Sequence, residues 1–144
     1  LIAMQRSIQP DCFRTFRAMR ESGVRIAMGT DIHNVPEMGC AAKELELYVM
    51  HGMSPMEAID TATRNAAQAL GLGAELGALE AGKIADVIAV RGDPLSDIRV
   101  LQDPANIALV MKEGRVYVDR FAATPRLVRH PEPGAWKIGM ATAG

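Results

Sequence analysis

Asp31 follows a short apolar run, residues 24–28, and a Gly29-Thr30 step, and it opens a polar connection that holds His33, Asn34 and Pro36. The C-terminal end of a strand in a parallel α/β architecture is where catalytic groups sit. A carboxylate there can ligate a metal or accept a proton from a metal-activated water. The other reading is that Asp31 caps the turn that follows. His33 could ligate a metal or touch a substrate, and as a loop histidine it could equally be solvated. His51 ends a helix just before Gly52 and reads as a charge for that helix end. His130 stands in a proline-rich tail and carries no argument. No His-x-His, His-Glu-x-x-His or Cys-x-x-Cys spacing occurs, so no self-contained metal site is visible. A nucleophile-elbow serine, a phosphate loop and a dinucleotide fingerprint are also missing.

Three further groups read as structural. Asp86 lies inside the apolar run 84–90, where a carboxylate needs partners. It reads as an anchor to Lys83 or to nearby backbone N–H groups, with catalysis as the alternative. Thr63, Arg64 and Asn65 read as polar ties between a helix and a neighbouring loop. Cys40, beside alanines on a helix face, reads as a buried thiol.

The elements that must carry these groups follow from periodicity and punctuation. A helix is expected over 10–22, with Pro10 and Asp11 in its first turn, Phe13, Phe16 and Met19 at helical spacing, and Gly23 ending it. Residues 24–28 then read as a short buried strand closed by Gly29-Thr30-Asp31. A second helix is expected over 38–51, with Met38, Ala41, Ala42, Leu45, Tyr48 and Val49 on one stripe. Ser54-Pro55-Met56-Glu57 is a capping box, and the third helix runs from there to about Leu70. Its inward residues are Ala58, Ile59, Ala62, Ala66, Ala69 and Leu70, and Gly71 is its C-cap. A β-branched run over 84–90 and a hairpin over 107–118 with its turn near Gly114 follow. Residues 95–106 read as a surface connection, and the chain from Thr124 onward reads as an extended tail in which Trp136 and Ile138 could dock.

The composition sets the class. The 144 residues and 15.5 kDa suit one domain and fall short of the roughly 250 residues of a closed (β/α)8 barrel. Hydrophobic residues are 49% and charged residues 23%, the balance of a folded globular chain. Sixteen Lys+Arg against seventeen Asp+Glu leave a net charge of −1, which argues against nucleic acid as partner. No apolar run reaches the roughly 18 residues of a membrane span, so no membrane partner is expected. Two cysteines, Cys12 and Cys40, suggest a reducing, cytoplasmic compartment. The N-terminus shows no signal-peptide pattern and opens on Leu1, which suggests a fragment.

The ordered set of motifs resembles the metal-dependent amidohydrolase superfamily. It comprises residues 24–31, Glu44-Leu45, Gly52-Met53-Ser54-Pro55-Met56-Glu57-Ala58, Ala62-Thr63-Arg64-Asn65-Ala66-Ala67 and Leu70-Gly71-Leu72. It continues through Leu76-Gly77-Ala78-Leu79-Glu80-Ala81-Gly82-Lys83-Ile84-Ala85-Asp86-Val87, Gly92-Asp93-Pro94-Leu95 and Val110-Met111-Lys112-Glu113-Gly114. The match covers residues 10–119 or so. Residues 92–98 and the hairpin look most like the imidazolonepropionase-related and Xaa-Pro dipeptidase-like branch.

The resemblance implies an α/β fold: the C-terminal portion of a (β/α)8 barrel over residues 1–72, part of a small composite β-sandwich over 73–120, and a tail over 121–144. It implies one or two divalent metals in the complete enzyme, zinc being the usual choice. Asp31 would end the eighth barrel strand, contact the metal, and shuttle a proton from the hydrolytic water to the leaving amine. The family's His-x-His pair, lysine and two further histidines precede this segment. Met38-Gly39 stands where members often carry His-Gly, and His33 and Asn34 are substrate-binding candidates by position. The implied reaction is hydrolysis of an amide or peptide C–N bond in a dipeptide-like or cyclic amide substrate. A heterocycle deaminase and a catalytically silent assembly piece are the alternatives. The implied partners are that small molecule and the remainder of the barrel or a second copy of the chain.

Overall fold

The computed structural model describes the backbone of residues 2–31, 39–121 and 126–127, and side chains within 11–31 and 39–121. The polar connection after Asp31, with His33, Asn34 and Met38, lies outside the described residues, as do His130, Trp136 and Ile138. The fold is α/β. Among the described residues, helices α1 (Ile2–Glu21), α2 (Ala42–Met50), α3 (Pro55–Ala62) and α4 (Arg64–Ala69) precede an antiparallel sheet. Its strands are β1 (Val87–Val90), β2 (Ile107–Lys112), β3 (Arg115–Asp119) and β4 (Arg126–Leu127), in the spatial order β1-β2-β3-β4. None of the helices is long and apolar enough to cross a membrane.

Helix α1 begins at Ile2, about two turns before the expected start at Pro10. The residues ahead of Pro10 include Ala3, Met4, Gln5 and Arg6, strong helix formers whose preference outweighs the backbone bond a proline forfeits. The other end of α1 is as expected. Val24 N–H reaches the Met19 carbonyl and Gly23 N–H the Arg20 carbonyl, the two bonds of a Schellman motif.

Residues 24–28 do not form a strand. They run extended, with Ile26 and Met28 half-buried and their neighbours exposed, but no strand lies beside them among the described residues. Their polar backbone groups go to helices instead: Met28 N–H donates to the Thr61 carbonyl at 2.9 Å and Asn65 Nδ2 donates to the Ile26 carbonyl at 3.0 Å. Arg25 Nη1 adds a 2.5 Å bond to Gln68 Oε1. Asn65 is thus the polar tie expected from the sequence.

The same bonds explain why the third helix is two helices. A continuous helix would direct the Thr61 carbonyl to the Asn65 N–H, but Met28 uses that carbonyl. Thr63 Oγ1 also bonds back to the Ile59 carbonyl at 2.8 Å, a contact that bends helices. The chain breaks at Thr63, with φ −124° and ψ −90°, between α3 and α4. The rotation buries Ala67 and leaves Leu70, expected to face inward, 73% exposed. The capping box forms as expected, with Ser54 Oγ accepting from Glu57 N–H and Glu57 Oε2 from Ser54 N–H at 2.6 Å. The Ser54 backbone N–H, and after it the Ser54 hydroxyl, holds the Glu57 carboxyl below its ordinary range.

In the sheet, Glu113 (φ 52°) and Gly114 (φ 74°) form a two-residue turn of the primed kind between Lys112 and Arg115. Asp86 precedes β1 rather than lying within an apolar strand, and it is exposed. Its Oδ1 accepts from Glu113 N–H at 2.7 Å and its Oδ2 lies 3.6 Å from Lys112 Nζ, so it clamps the hairpin turn. That proximity raises the Lys112 pKa. Lys83 serves a different loop, donating to the Gly73 and Leu76 carbonyls at 2.9 and 3.4 Å.

Residues 95–106 are not a surface connection. They hold two 3-10 turns, Ile98–Gln102 and Pro104–Asn106, and Ile98 is 4% exposed. Ile98 joins Leu45, Met53 and Ala58 in the core, with Phe16, Ile26, Met28 and Leu101 packed around them. Gln102 Nε2 donates to Glu46 Oε2 at 2.8 Å and locks the turn onto α2.

Gly77 is where backbone approaches backbone. Its φ is +88°, and a Cβ there would stand 2.8 Å from Ala67 Cβ and 2.9 Å from the Thr63 carbonyl oxygen. Gly71, with φ +74°, has nothing within 4 Å of the same position. Gly77→Ala should therefore lower the melting temperature more than Gly71→Ala, by a further ~1 kcal/mol or more of stability. Equal melting of the two variants would contradict the packing at Thr63.

Candidate functional site

The extended segment 24–31 ends at Asp31, which is exposed and has a backbone φ of +47°. Left-handed backbone is uncommon for residues other than glycine, and such positions cluster where function over-determines the geometry. Helices hold the segment along its length: α4 through Asn65 and Gln68, α3 through Thr61, and α2 through Glu44, whose Oε1 accepts from Gly29 N–H at 3.5 Å. A stiff support for a terminal carboxylate results. His33 and Asn34 lie outside the described residues, so Asp31 is the one sequence-selected site residue whose place is described.

Gly29 and Thr30 form part of the wall of a cavity of about 850 Å3 between α1 and α2. Four ring side chains, Phe13, Phe16, Tyr48 and His51, and the charged Lys43 and Glu44 stand in the rest of the wall. The Phe16 and Tyr48 rings stack with centroids 5.1 Å apart and planes at 10°. Phe13 and His51 stack at 3.7 Å and 20°. Cys12 and Cys40 also line the cavity, and both are free, exposed thiols. Cys40 is therefore not the buried thiol expected, because α2 starts only at Ala42 and leaves residue 40 outside the helix.

His51 does not act as a cation at its helix end. Arg17 Nη2 lies 3.2 Å from His51 Nδ1, and an arginine can only donate, so that nitrogen accepts. Desolvation against the Phe13 ring, then the Arg17 charge, holds the imidazole pKa below its ordinary value.

Glu44 and Tyr48 were not among the expected site residues. The Tyr48 hydroxyl donates to Glu44 Oε1, the atom that also receives Gly29 N–H. Burial, followed by that bond to the carboxylate, raises the Tyr48 pKa. Glu44 Oε2 is buried and has no hydrogen-bond partner among the described residues. An acid four residues before a tyrosine on one helix was the available signal, but Tyr48 read as part of the apolar stripe.

Among the described residues no three His, Cys, Asp or Glu side chains come together as a metal site. The Asp31 carboxylate is a suitable oxygen donor for a divalent cation, yet a catalytic zinc usually takes three protein ligands. Any such ion would take its other ligands from beyond these residues.

The chain belongs to the amidohydrolase family, whose model matches residues 3–117. It is 41% identical over 106 residues to the ochratoxinase of Aspergillus niger, covering 72% of this chain and 22% of that enzyme. It is 37% identical over 108 residues to the imidazolonepropionase of Symbiobacterium thermophilum, covering 72% of this chain and 25% of that one. The crystal structure of a Xaa-Pro dipeptidase with bound methionine superposes with a TM-score of 0.70 at 43% identity, over 77% of this chain and 26% of that chain. The chain thus spans about a quarter of the length of these relatives.

The His51 geometry gives a pH prediction. A histidine whose folded pKa is depressed stabilises the fold above its unfolded pKa of about 6.5 and loses that contribution as pH falls below that value and through the lower folded pKa. Taking the chain from pH 7.5 to 5 should loosen α1 against α2, read as faster amide exchange in α1. His51→Phe, which keeps a ring against Phe13, should show a smaller change, and an equal change would remove His51 as the cause.

Proposed function

We propose that this chain is the C-terminal part of a metal-dependent amidohydrolase in which Asp31 carries the proton of amide hydrolysis. The observation behind this reading is the placement of Asp31: an exposed carboxylate with left-handed backbone, at the end of an extended segment that three helices brace. Residues 1–72 would close a (β/α)8 barrel, with 24–31 as its last strand, and residues 73–120 would form part of a composite β-sandwich, followed by the tail 121–144. The alternating burial of 24–28 supports this, since one face packs on helices and the other would face the barrel interior once the rest of the enzyme supplies strands along its edges.

A divalent metal, zinc in this reading, supplies a Lewis acid that lowers the pKa of water toward roughly 7. Asp31 accepts the proton that the attacking water releases and returns it to the leaving nitrogen, so that an amine departs instead of a strongly basic amide anion. Asp31 could also serve as one oxygen ligand of the metal. His33 and Asn34, on the loop that follows, are positioned by sequence to touch the substrate. A dipeptide-like or cyclic amide substrate fits the names of the relatives, a Xaa-Pro dipeptidase and an imidazolonepropionase. Two free cysteines suit a reducing, cytoplasmic setting.

Asp31→Asn in the whole enzyme should lower kcat by at least ~100-fold while melting changes little, because a neutral amide cannot take the proton. Near-normal turnover by the folded variant would reduce Asp31 to a turn residue.

A second prediction concerns the 144 residues alone. Met50 (68% exposed), Leu70 (73%), Leu79 (82%) and Phe121 (65%) present apolar surface to solvent, and β1 has an unpaired edge among the described strands. Such surfaces invite association. The isolated chain should sediment as an oligomer and retain no stoichiometric zinc on dialysis. A monomer that holds one zinc tightly would overturn the fragment reading.

A further inference from the structure

The α2 stripe is apolar at Leu45, Tyr48 and Val49, and a carboxylate among these residues is costly. Glu44 is there nonetheless, half-buried, with Oε2 enclosed and lacking a hydrogen-bond partner among the described residues. An apolar side chain at this point would pack without desolvating a charge. The fold gains little from it, because Gly29, whose amide Glu44 accepts, is exposed and water could serve that amide. What the carboxylate adds is a fixed location for the amide two residues ahead of Asp31. Glu44 is itself fixed: the Tyr48 hydroxyl donates to the same Oε1, and the Tyr48 ring is held by its stack on Phe16 of α1. The contacts form one line from α1 through Phe16, Tyr48 and Glu44 to Gly29, ending at the turn that bears Asp31.

We propose that Glu44, oriented by Tyr48, is the positioning residue of this turn, setting where the Asp31 carboxylate stands. The proposal rests on the reading of Asp31 as proton carrier. Misplacing a reacting group by about 1 Å can cost on the order of 100-fold in rate, so an anchor two residues away is enough to govern turnover.

The test uses the whole enzyme with Glu44→Ala, Glu44→Gln and Tyr48→Phe beside Asp31→Asn. Glu44→Ala and Tyr48→Phe should lower kcat by about 10- to 100-fold with KM little changed. Glu44→Gln keeps an oxygen able to accept from both donors and should recover most of the loss. Amide exchange at Gly29 should quicken in Glu44→Ala and Tyr48→Phe, a readout that needs no turnover. Wild-type kcat and exchange in these two variants, alongside an inactive Asp31→Asn, would overturn the proposal and leave the proton-carrier reading standing. If Asp31→Asn is active, the proton-carrier reading fails, and Gly29 exchange alone decides whether Glu44 fixes the turn. If Glu44→Ala does not fold, Tyr48→Phe, which keeps the stacked ring, decides in its place.

Discussion

The bond from the Met28 amide to the Thr61 carbonyl joins an extended segment to the last turn of α3, and much of the architecture depends on it. A segment with no neighbouring strand among the described residues still has to satisfy its backbone, and each buried group left unpaired costs about 1–3 kcal/mol. By using a helix carbonyl, Met28 ends α3 at the next residue, Ala62, and α4 starts beyond the break at Thr63. That break brings Asn65 and Gln68 alongside Ile26 and Arg25, so the segment that interrupts the helix is also gripped by its continuation. Gly77 then fits against the break, closer than any side chain would permit.

Elements defined by local chemistry were readable in the sequence. The Ser54–Glu57 box, the Schellman ends at Gly23 and Gly71 and the Glu113-Gly114 turn each depend on residues within a few positions of one another. Elements decided by a distant partner were not. Residues 24–28 have the composition of a strand, but a strand is a relation between two segments. The break at Thr63 comes from an amide 33 positions earlier in the chain, between Met28 and Thr61, and no property of 54–70 announces it. Asp86 was correctly read as an anchor to backbone N–H, yet its partner, Glu113, is in the hairpin turn 27 positions away and the burial assumed for it is absent.

The site divides the same way. Asp31 could be picked out because its type and its place after a Gly-Thr step speak for themselves, and because the ordered motifs resemble a family that the comparisons bear out. Glu44 looked like one more charge on a helix. Its importance comes from facing both Tyr48 and Gly29, which only the packing of α2 against the 24–31 segment creates. Phe16 and Tyr48, placed by the sequence at helical spacing, pack against the core and together with Phe13 also line a cavity that reaches the Gly29-Thr30 step.

Ile98, in the stretch of chain between β1 and β2, is buried against Leu45, Met53 and Ala58 of the helical half. Its consequence is cooperativity. A side chain from between the first two strands completes the core of the helical half, so the helices lose their closed interior when that stretch of chain comes away. The helical core is therefore coupled through Ile98 to chain that lies beyond β1. A cut in the backbone between Leu72 and Gly73 would therefore leave a helical piece whose core stays open until the other piece returns Ile98 to it.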